Sequence, residues 1–162
     1  RSRLRKNSNA CETKAKPAAA TRLRSVVFAR VRERTGIVVE NLMLIAAGGA
    51  CGAVLRFGIS SSVAAVFGPG FPFGTLVVNV LGSLLIGILY VFLTERVMGG
   101  AGMRALLVVG LLGAFTTFST FSIETLQLIE NGEAARALAN VFANVVLCLA
   151  ACWLGLIIVR EL

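Results

Sequence analysis

Residues 110–122 place small and hydroxylated side chains in the middle of a long apolar segment. Glycine, threonine and serine have low helix propensity or compete for backbone hydrogen bonds, so the sequence predicts a broken helix here. Backbone N–H and C=O groups freed at a break need a neighbouring helix, water or an ion as a partner. Breaks at membrane depth are typical of ion and substrate sites. The alternative is a continuous helix whose hydroxyls bond back to their own turn.

Two aromatic rings in this stretch could take part in ion recognition. Phe118 and Phe121 are three residues apart and therefore share one helix face. Packing is the default role of such a pair, but the edge of a phenyl ring carries partial positive charge and can meet an anion. Ser119 and Thr120 lie beside the rings and carry hydroxyl donors.

Three more polar residues lie inside apolar segments. Arg56 would cost about 2.5–3.5 kcal/mol at the bilayer centre, so it either snorkels or faces a polar vestibule that attracts an anion. Asn79 offers two donors and one acceptor, for an interhelical hydrogen bond or for a conducted anion. Glu124 is the single acid well inside a segment, unless it lies close enough to a helix end to reach water.

The composition is that of a membrane protein. Hydrophobic residues make up 57% of the 162 residues, charged residues only 15%, and the mean hydropathy is +0.85. A soluble domain usually has about 25% charged residues. The net charge of +8 lies entirely within residues 1–40, and the acidic and basic residues of the remainder cancel. Because almost no aromatic residues accompany the basic ones, the sequence does not indicate nucleic-acid binding.

Four apolar segments predict an all-α, polytopic protein of the cell membrane. Each segment has the roughly 20 residues that a helix needs to cross about 30 Å of hydrocarbon, and none shows strand-like alternation. Turn-forming residues separate the first segment from the second and the third from the fourth. The segments are residues 42–66, 73–94, 103–129 and 134–159.

Residues 1–40 are predicted to be a basic N-terminal tail, disordered or interfacial, and residues 41–162 to form a four-helix transmembrane channel domain. Residues 26–39 are compatible with a basic amphipathic helix on a membrane surface. Alternatively, Met43 is the natural start and the tail is an upstream extension or a disordered arm.

Small residues recur at spacings that allow helices to pack closely. Gly48 and Gly52, and Ser83 and Gly87, form small-xxx-small pairs. Four thin helices enclose little interior, so we expect an oligomer. The four cysteines form no CxxC pair and the chain has no histidine, which argues against a zinc site or a disulfide framework. No phosphate-binding loop or nucleophile–base pair is visible either, so the sequence does not indicate an enzyme.

Over about residues 42–160 the chain resembles the Fluc family of fluoride channels, also called CrcB proteins. Three stretches carry this resemblance, and they stand in the family's order. They are residues 48–57 (GGACGAVLRF), 72–83 (PFGTLVVNVLGS) and 113–124 (GAFTTFSTFSIE).

The resemblance implies a passive, fluoride-selective channel that exports fluoride, and not an enzyme. It implies four transmembrane helices with a broken third helix, in an antiparallel, dual-topology homodimer with two pores. It also implies a structural sodium ion at the dimer interface, held by the backbone carbonyls of Gly113 and Thr116 from both subunits. A cage of carbonyl oxygens suits such a hard cation.

The resemblance also implies which residues line the pores. Asn79 matches the family's pore asparagine, Phe118 and Phe121 match its phenylalanine box, and Arg56 matches the arginine near its vestibule. The fourth helix departs from the family, which usually has a track of tyrosine and serine there. In register with that track this chain has Asn140, Asn144 and Cys148, and the two amides share one helix face.

The orientation in the membrane leaves two kinds of partner open. The balanced charge of the body agrees with dual topology, but the basic tail would hold every N-terminus in the cytoplasm. The partner is then either a second copy or an oppositely oriented homologue. Two other functions are alternatives. A small proton-coupled multidrug exporter would need a carboxylate in the first helix, where this chain has Arg56, and a non-conducting membrane subunit would need only the small-residue faces.

Overall fold

The protein is described by a computed structural model, which covers the backbone of residues 2–96 and 99–162 and the side chains of residues 32, 34–96 and 99–162. All secondary structure within these residues is helical. The α-helices are α1 (Ser2–Phe67), α2 (Phe73–Tyr90), α3 (Ala101–Arg104), α4 (Gly113–Phe115), α5 (Phe118–Glu130) and α6 (Ala134–Arg160), and the π-helical segments are Val91–Glu95 and Ala105–Leu112.

The chain divides into two compact units, Arg1–Glu40 and Asn41–Leu162. A disordered or interfacial tail was predicted for residues 1–40. Most side chains of these residues lie outside the described part of the structure. The second unit contains the three stretches of residues that the sequence analysis singled out.

Within the described residues, four helical stretches are long and apolar enough to cross a membrane, which confirms the prediction of a multi-pass membrane protein. The first stretch begins at Arg34, earlier than the predicted apolar segment 42–66, because the helix continues from apolar into polar residues. The stretches are Arg34–Phe67, Phe73–Glu95, Ala101–Glu130 and Ala134–Arg160.

Two turns separate these stretches where glycine adopts a conformation that other residues avoid. Gly68 follows α1 with φ = 76°, and its N–H donates to the carbonyl of Ala64 at 2.9 Å. Gly132 lies between α5 and α6 with φ = 78°. A glycine in the left-handed region is a common way to end a helix, since it has no Cβ to strain.

The predicted contact of Gly48 and Gly52 with a neighbouring helix is confirmed. A Cβ atom on Gly48 would overlap the carbonyl of Leu106, and one on Gly52 would overlap the carbonyl of Leu111. Both carbonyls belong to the π-helical segment Ala105–Leu112. Helix α1 therefore approaches this segment backbone to backbone, as small residues allow in lipid.

A second close approach joins α2 to α6. A Cβ on Gly87 would overlap the carbonyl of Cys152, and one on Gly155 would overlap the carbonyl of Leu84. At one end of this pair, the guanidinium of Arg160 binds Glu95, with 2.5 Å between Nη2 and Oε1. Helices α2 and α6 thus pack closely against each other.

Candidate functional site

The third membrane-spanning stretch is interrupted at Thr116 and Thr117. Helix α4 ends at Phe115, and both threonines have extended backbone, with ψ of 157° and 110°. The Thr117 hydroxyl then accepts the N–H of Thr120 at 3.2 Å and so caps the start of α5. The break lies where the sequence predicts it, and the alternative of a continuous helix does not hold.

The side chain of Asn79, from α2, fills this break. Its Oδ1 accepts the N–H of Thr117 at 2.8 Å, and its Nδ2 donates to the Thr117 carbonyl at 3.2 Å. In a continuous helix, the Thr117 N–H would donate to the carbonyl of Gly113. Asn79 therefore replaces a helical hydrogen bond with an interhelical one, which satisfies backbone groups that would be costly to leave unpaired in lipid.

A chain of side-chain hydrogen bonds continues from Asn79 into α6 and back to α5. Asn79 donates to Asn144 (3.1 Å), Asn144 to Asn140 (2.9 Å), and Asn140 to the hydroxyl of Thr125 (2.9 Å). We call these four residues the amide relay. Asn140 is 0% exposed and Asn144 is 6% exposed, so the bond between these two amides is buried.

The two phenylalanines begin α5 at the edge of an open cavity. Their ring centroids are 5.3 Å apart and their planes are tilted by 51°. Phe118 is 79% exposed, whereas Phe121 is 9% exposed. The cavity has a volume of about 440 Å³, and its lining includes Asn79, Thr116, Thr117, Phe118, Phe121, Asn144 and Cys148.

Other residues predicted from the sequence lie outside this lining. Ser119 is exposed, while Thr120 and Arg56 are half-buried. Asn140 is fully buried behind Asn144. The hydroxyls of Ser119 and Thr120 contact the Thr117 hydroxyl at 3.2 and 2.9 Å, so they belong to the cap of α5.

Thr75 was not predicted as a site residue; it is 2% exposed, and its hydroxyl donates to Oε1 of Glu124 at 2.9 Å. The other carboxylate oxygen, Oε2, is buried and has no partner among the described residues. Glu124 also borders a second cavity of about 430 Å³, next to the turn at residues 68–72. Helical spacing was the available signal, because residues 75, 79 and 82 lie on one face of α2. At the third of these, Gly82, a Cβ would overlap the side chain of Thr116.

The residues at the end of α4 fit a cation that prefers oxygen ligands. Because the Thr117 N–H donates to Asn79, the carbonyl of Gly113 lacks its usual helical donor. The extended backbone of Thr116 turns its own carbonyl out of the helix. Within the described residues, no group of three or more histidine, cysteine, aspartate or glutamate side chains could hold a metal. The donors that this end of the helix offers are therefore backbone oxygens, a ligand type that hard cations prefer.

Comparison with known proteins decides the family. The sequence profile of the family described as CrcB-like protein, Camphor Resistance (CrcB), matches residues 43–156. The chain belongs to the CrcB family. The matched CrcB region contains the break, the amide relay and both cavities.

Several curated relatives in the CrcB family carry the name "Fluoride-specific ion channel FluC". The chain is 49% identical over 123 residues to one from Coxiella burnetii, covering 75% of this chain and 99% of the relative. It is 55% identical over 117 residues to one from Shewanella amazonensis, covering 72% and 94%. It is 50% identical over 118 residues to one from Pseudoalteromonas translucida, covering 73% and 98%.

Proposed function

We propose that the chain is a passive, fluoride-selective ion channel of the cell membrane. The observation that carries this proposal is the interrupted third stretch, where Asn79 and two phenylalanines border one open cavity. The names of the curated relatives support fluoride as the conducted ion.

The site offers what a small, strongly hydrated anion needs when it leaves water. Helix α5 begins at the break, so the positive end of its dipole lies beside the cavity. The rings of Phe118 and Phe121 line the same cavity, and the edge of a phenyl ring carries partial positive charge. These partial charges stabilise an anion without a full positive charge, which would hold it too tightly to conduct.

The sequence offers no residue for coupling fluoride movement to protons in the first span. Between Asn41 and Phe67 the only charged residue is Arg56, whereas a small multidrug exporter needs a carboxylate there. Fluoride would therefore move down its own gradient. In a cell that has accumulated fluoride, this movement is outward.

We propose that the functional unit is an antiparallel dimer of two copies. The cavity is open on one side of the protomer, and Phe118 at its edge is 79% exposed. A second copy would supply the missing wall, and the balanced charge of residues 41–162 allows both orientations. If the basic tail orients every copy alike, an oppositely oriented homologue would take the second position.

We also propose a structural sodium ion at this dimer interface. The carbonyls of Gly113 and Thr116 from each subunit would hold it, since both lie where the helix ends. When bound, the ion supplies a positive charge that fixes the two α4 ends against each other.

Efflux from proteoliposomes tests the proposed function. Vesicles loaded with fluoride or with chloride are diluted into buffer free of both ions, a cation ionophore balances the charge that the anions carry out, and released ions are measured with selective electrodes. The proposal predicts rapid fluoride release and retained chloride. Proton-driven uptake of a cationic drug would instead indicate an exporter, and vesicles that release neither anion would indicate a non-conducting subunit.

A further inference from the structure

We propose that Asn140 and Asn144 are positioning residues that hold the carboxamide of Asn79 in one orientation. The effect on transport rests on the proposed function, because Asn79 borders the proposed fluoride path. The orientation itself rests only on the hydrogen bonds of the amide relay.

The backbone of the break fixes the first amide of the relay. An N–H group can only donate, so the Thr117 N–H requires the oxygen of Asn79 and not its NH₂ group. The Asn79 NH₂ group is thereby turned towards Asn144. To accept from it at 3.1 Å, Asn144 must present its own oxygen, Oδ1.

The remaining hydrogen bonds of the relay are oriented in the same way. The NH₂ group of Asn144 faces Asn140, where Oδ1 accepts at 2.9 Å and the backbone carbonyl at 3.1 Å. The NH₂ group of Asn140 donates to the hydroxyl of Thr125, which must then donate elsewhere, and does so to the carbonyl of Phe121 at 2.7 Å. A backbone donor at one end and a backbone acceptor at the other thus set the direction of every bond.

Burial makes this direction costly to reverse. Asn140 is 0% exposed, so no water can replace a lost partner there. Turning over one amide would bring N–H against N–H and oxygen against oxygen in a medium of low dielectric. The backbone partners of the relay's two end residues, the Thr117 N–H and the Phe121 carbonyl, flank the first turn of α5. The hydrogen bonds of the relay therefore join the first turn of α5, which carries both rings, to α2 and α6.

The hydrogen bonds also indicate that Asn140 and Asn144 position Asn79 and do not contact the ion themselves. Asn140 is fully buried away from the cavity lining, and the NH₂ group of Asn144 already donates to two oxygens of Asn140. Their contribution to conduction runs through Asn79 and the start of α5.

Thr125→Val tests the relay at the end farthest from the cavity. Valine has nearly the same shape but lacks the hydroxyl, so Asn140 loses its acceptor. Thr125→Ser keeps the hydroxyl and should restore the relay. Ser122→Ala is the matched control, because the Ser122 hydroxyl also bonds back to α5, at 2.8 Å from the Phe118 carbonyl, but receives no bond from the relay.

Two readouts are taken on the full-length protein in lipid. The first is the pair of side-chain amide NMR resonances of Asn79, assigned by their loss in Asn79→Asp. The second is fluoride efflux. We expect Thr125→Val to shift both Asn79 resonances and to slow efflux by about tenfold, the effect of leaving one buried partner unsatisfied. Thr125→Ser and Ser122→Ala should match the unmodified protein in both.

Unchanged Asn79 resonances and efflux in Thr125→Val would overturn the proposal. If that variant does not fold, the double variant Asn140→Leu/Thr125→Val replaces both partners with apolar groups, which leaves neither of them unsatisfied. In the double variant Asn144 loses the Oδ1 acceptor of Asn140 and keeps only the backbone carbonyl of residue 140. Its amide is then held less firmly, so the proposal still requires shifted Asn79 resonances. If the unmodified protein shows no fluoride efflux, the proposed function fails, and the resonances alone decide this proposal.

Discussion

Asn79 accepts the N–H of Thr117 at 2.8 Å, and this bond joins the second membrane-spanning stretch to the interruption in the third. A polar side chain thereby completes a backbone that would otherwise be unsatisfied in the hydrocarbon core. The cavity, the phenylalanine pair and the amide relay all meet at this contact. Substitutions of residues around this contact test the proposed site.

Phe118→Ala should slow fluoride efflux while leaving the fold intact. The ring is 79% exposed in the protomer, so its loss creates no internal cavity there, but it removes one of the two ring edges at the proposed path. Phe57→Ala is the matched control, because Phe57 is 75% exposed and lies outside the cavity lining. Equal efflux rates for the two variants would contradict a role for Phe118 in conduction.

Phe121→Ala should affect stability as well as efflux, because Phe121 is buried. Phe→Ala changes in soluble cores cost about 3–5 kcal/mol. We expect a smaller loss here, because lipid solvates an apolar side chain and only the packing contacts disappear. Thermal unfolding in a fixed detergent should rank Phe121→Ala below Phe118→Ala in midpoint temperature. The reverse order would show that the two rings are not buried as described.

Gly52→Ala should destabilise the protein by about 1–3 kcal/mol, the usual cost of overpacking. Its Cβ would overlap the backbone of Leu111, which cannot move aside as a flexible side chain can. Gly49→Ala is the control on the same helix, because its Cβ would lie 3.9 Å from the nearest atom, the Gly110 carbonyl oxygen. Alanine also favours a helix over glycine, so Gly49→Ala should be neutral or slightly stabilising.

Unfolding followed by the fluorescence of Trp153, the single tryptophan, measures both glycine variants. A Gly49→Ala variant as unstable as Gly52→Ala would contradict the described contact between α1 and the π-helical segment.

A thiol reagent should reach Cys148 from the cavity and slow fluoride efflux. Cys148 is half-buried and belongs to the cavity lining with Asn79 and Asn144. A charged methanethiosulfonate added to proteoliposomes should inhibit the unmodified protein and leave Cys148→Ala unaffected. Inhibition that persists in Cys148→Ala would come from another cysteine and would contradict the position of Cys148 on the path.

Removal of sodium should abolish fluoride efflux if the proposed cation site is occupied in the functional dimer. Protein purified and reconstituted with N-methyl-D-glucamine in place of sodium should be inactive, and restored sodium should recover activity. Potassium, which is larger, should recover less, because the proposed cage of Gly113 and Thr116 carbonyls would have a limited size. Undiminished efflux without sodium would contradict the proposed structural sodium ion.

Much of the fold follows from the sequence. Hydropathy located all four spans, with differences of a few residues at most ends, because lipid requires about 20 consecutive apolar residues. It missed the π-helical segment Ala105–Leu112, whose residues have the composition of an ordinary apolar helix. That segment lies in contact with Gly48 and Gly52 of α1. Such a tertiary contact is not encoded in the local sequence.

The candidate site was predicted in part. The break was detectable because glycine, threonine and serine are concentrated there, and helical spacing placed the two phenylalanines on one face. The partner of Asn79 was not predictable, since an amide can bond an ion, a side chain or a backbone group equally well. For the same reason, the sequence alone did not show that Asn140 is fully buried and bonded to Asn144 and Thr125.

Asn79→Asp gives the most direct test of the central claim, that the break held by Asn79 is the fluoride path. The carboxylate still accepts from Thr117 but loses both donors, and its negative charge would repel an anion. Asn41→Asp makes the same chemical change outside both cavities. In fluoride efflux from matched proteoliposomes, we predict that Asn41→Asp conducts like the unmodified protein and that Asn79→Asp does not conduct. Fluoride release by Asn79→Asp at the rate of the unmodified protein would contradict the account.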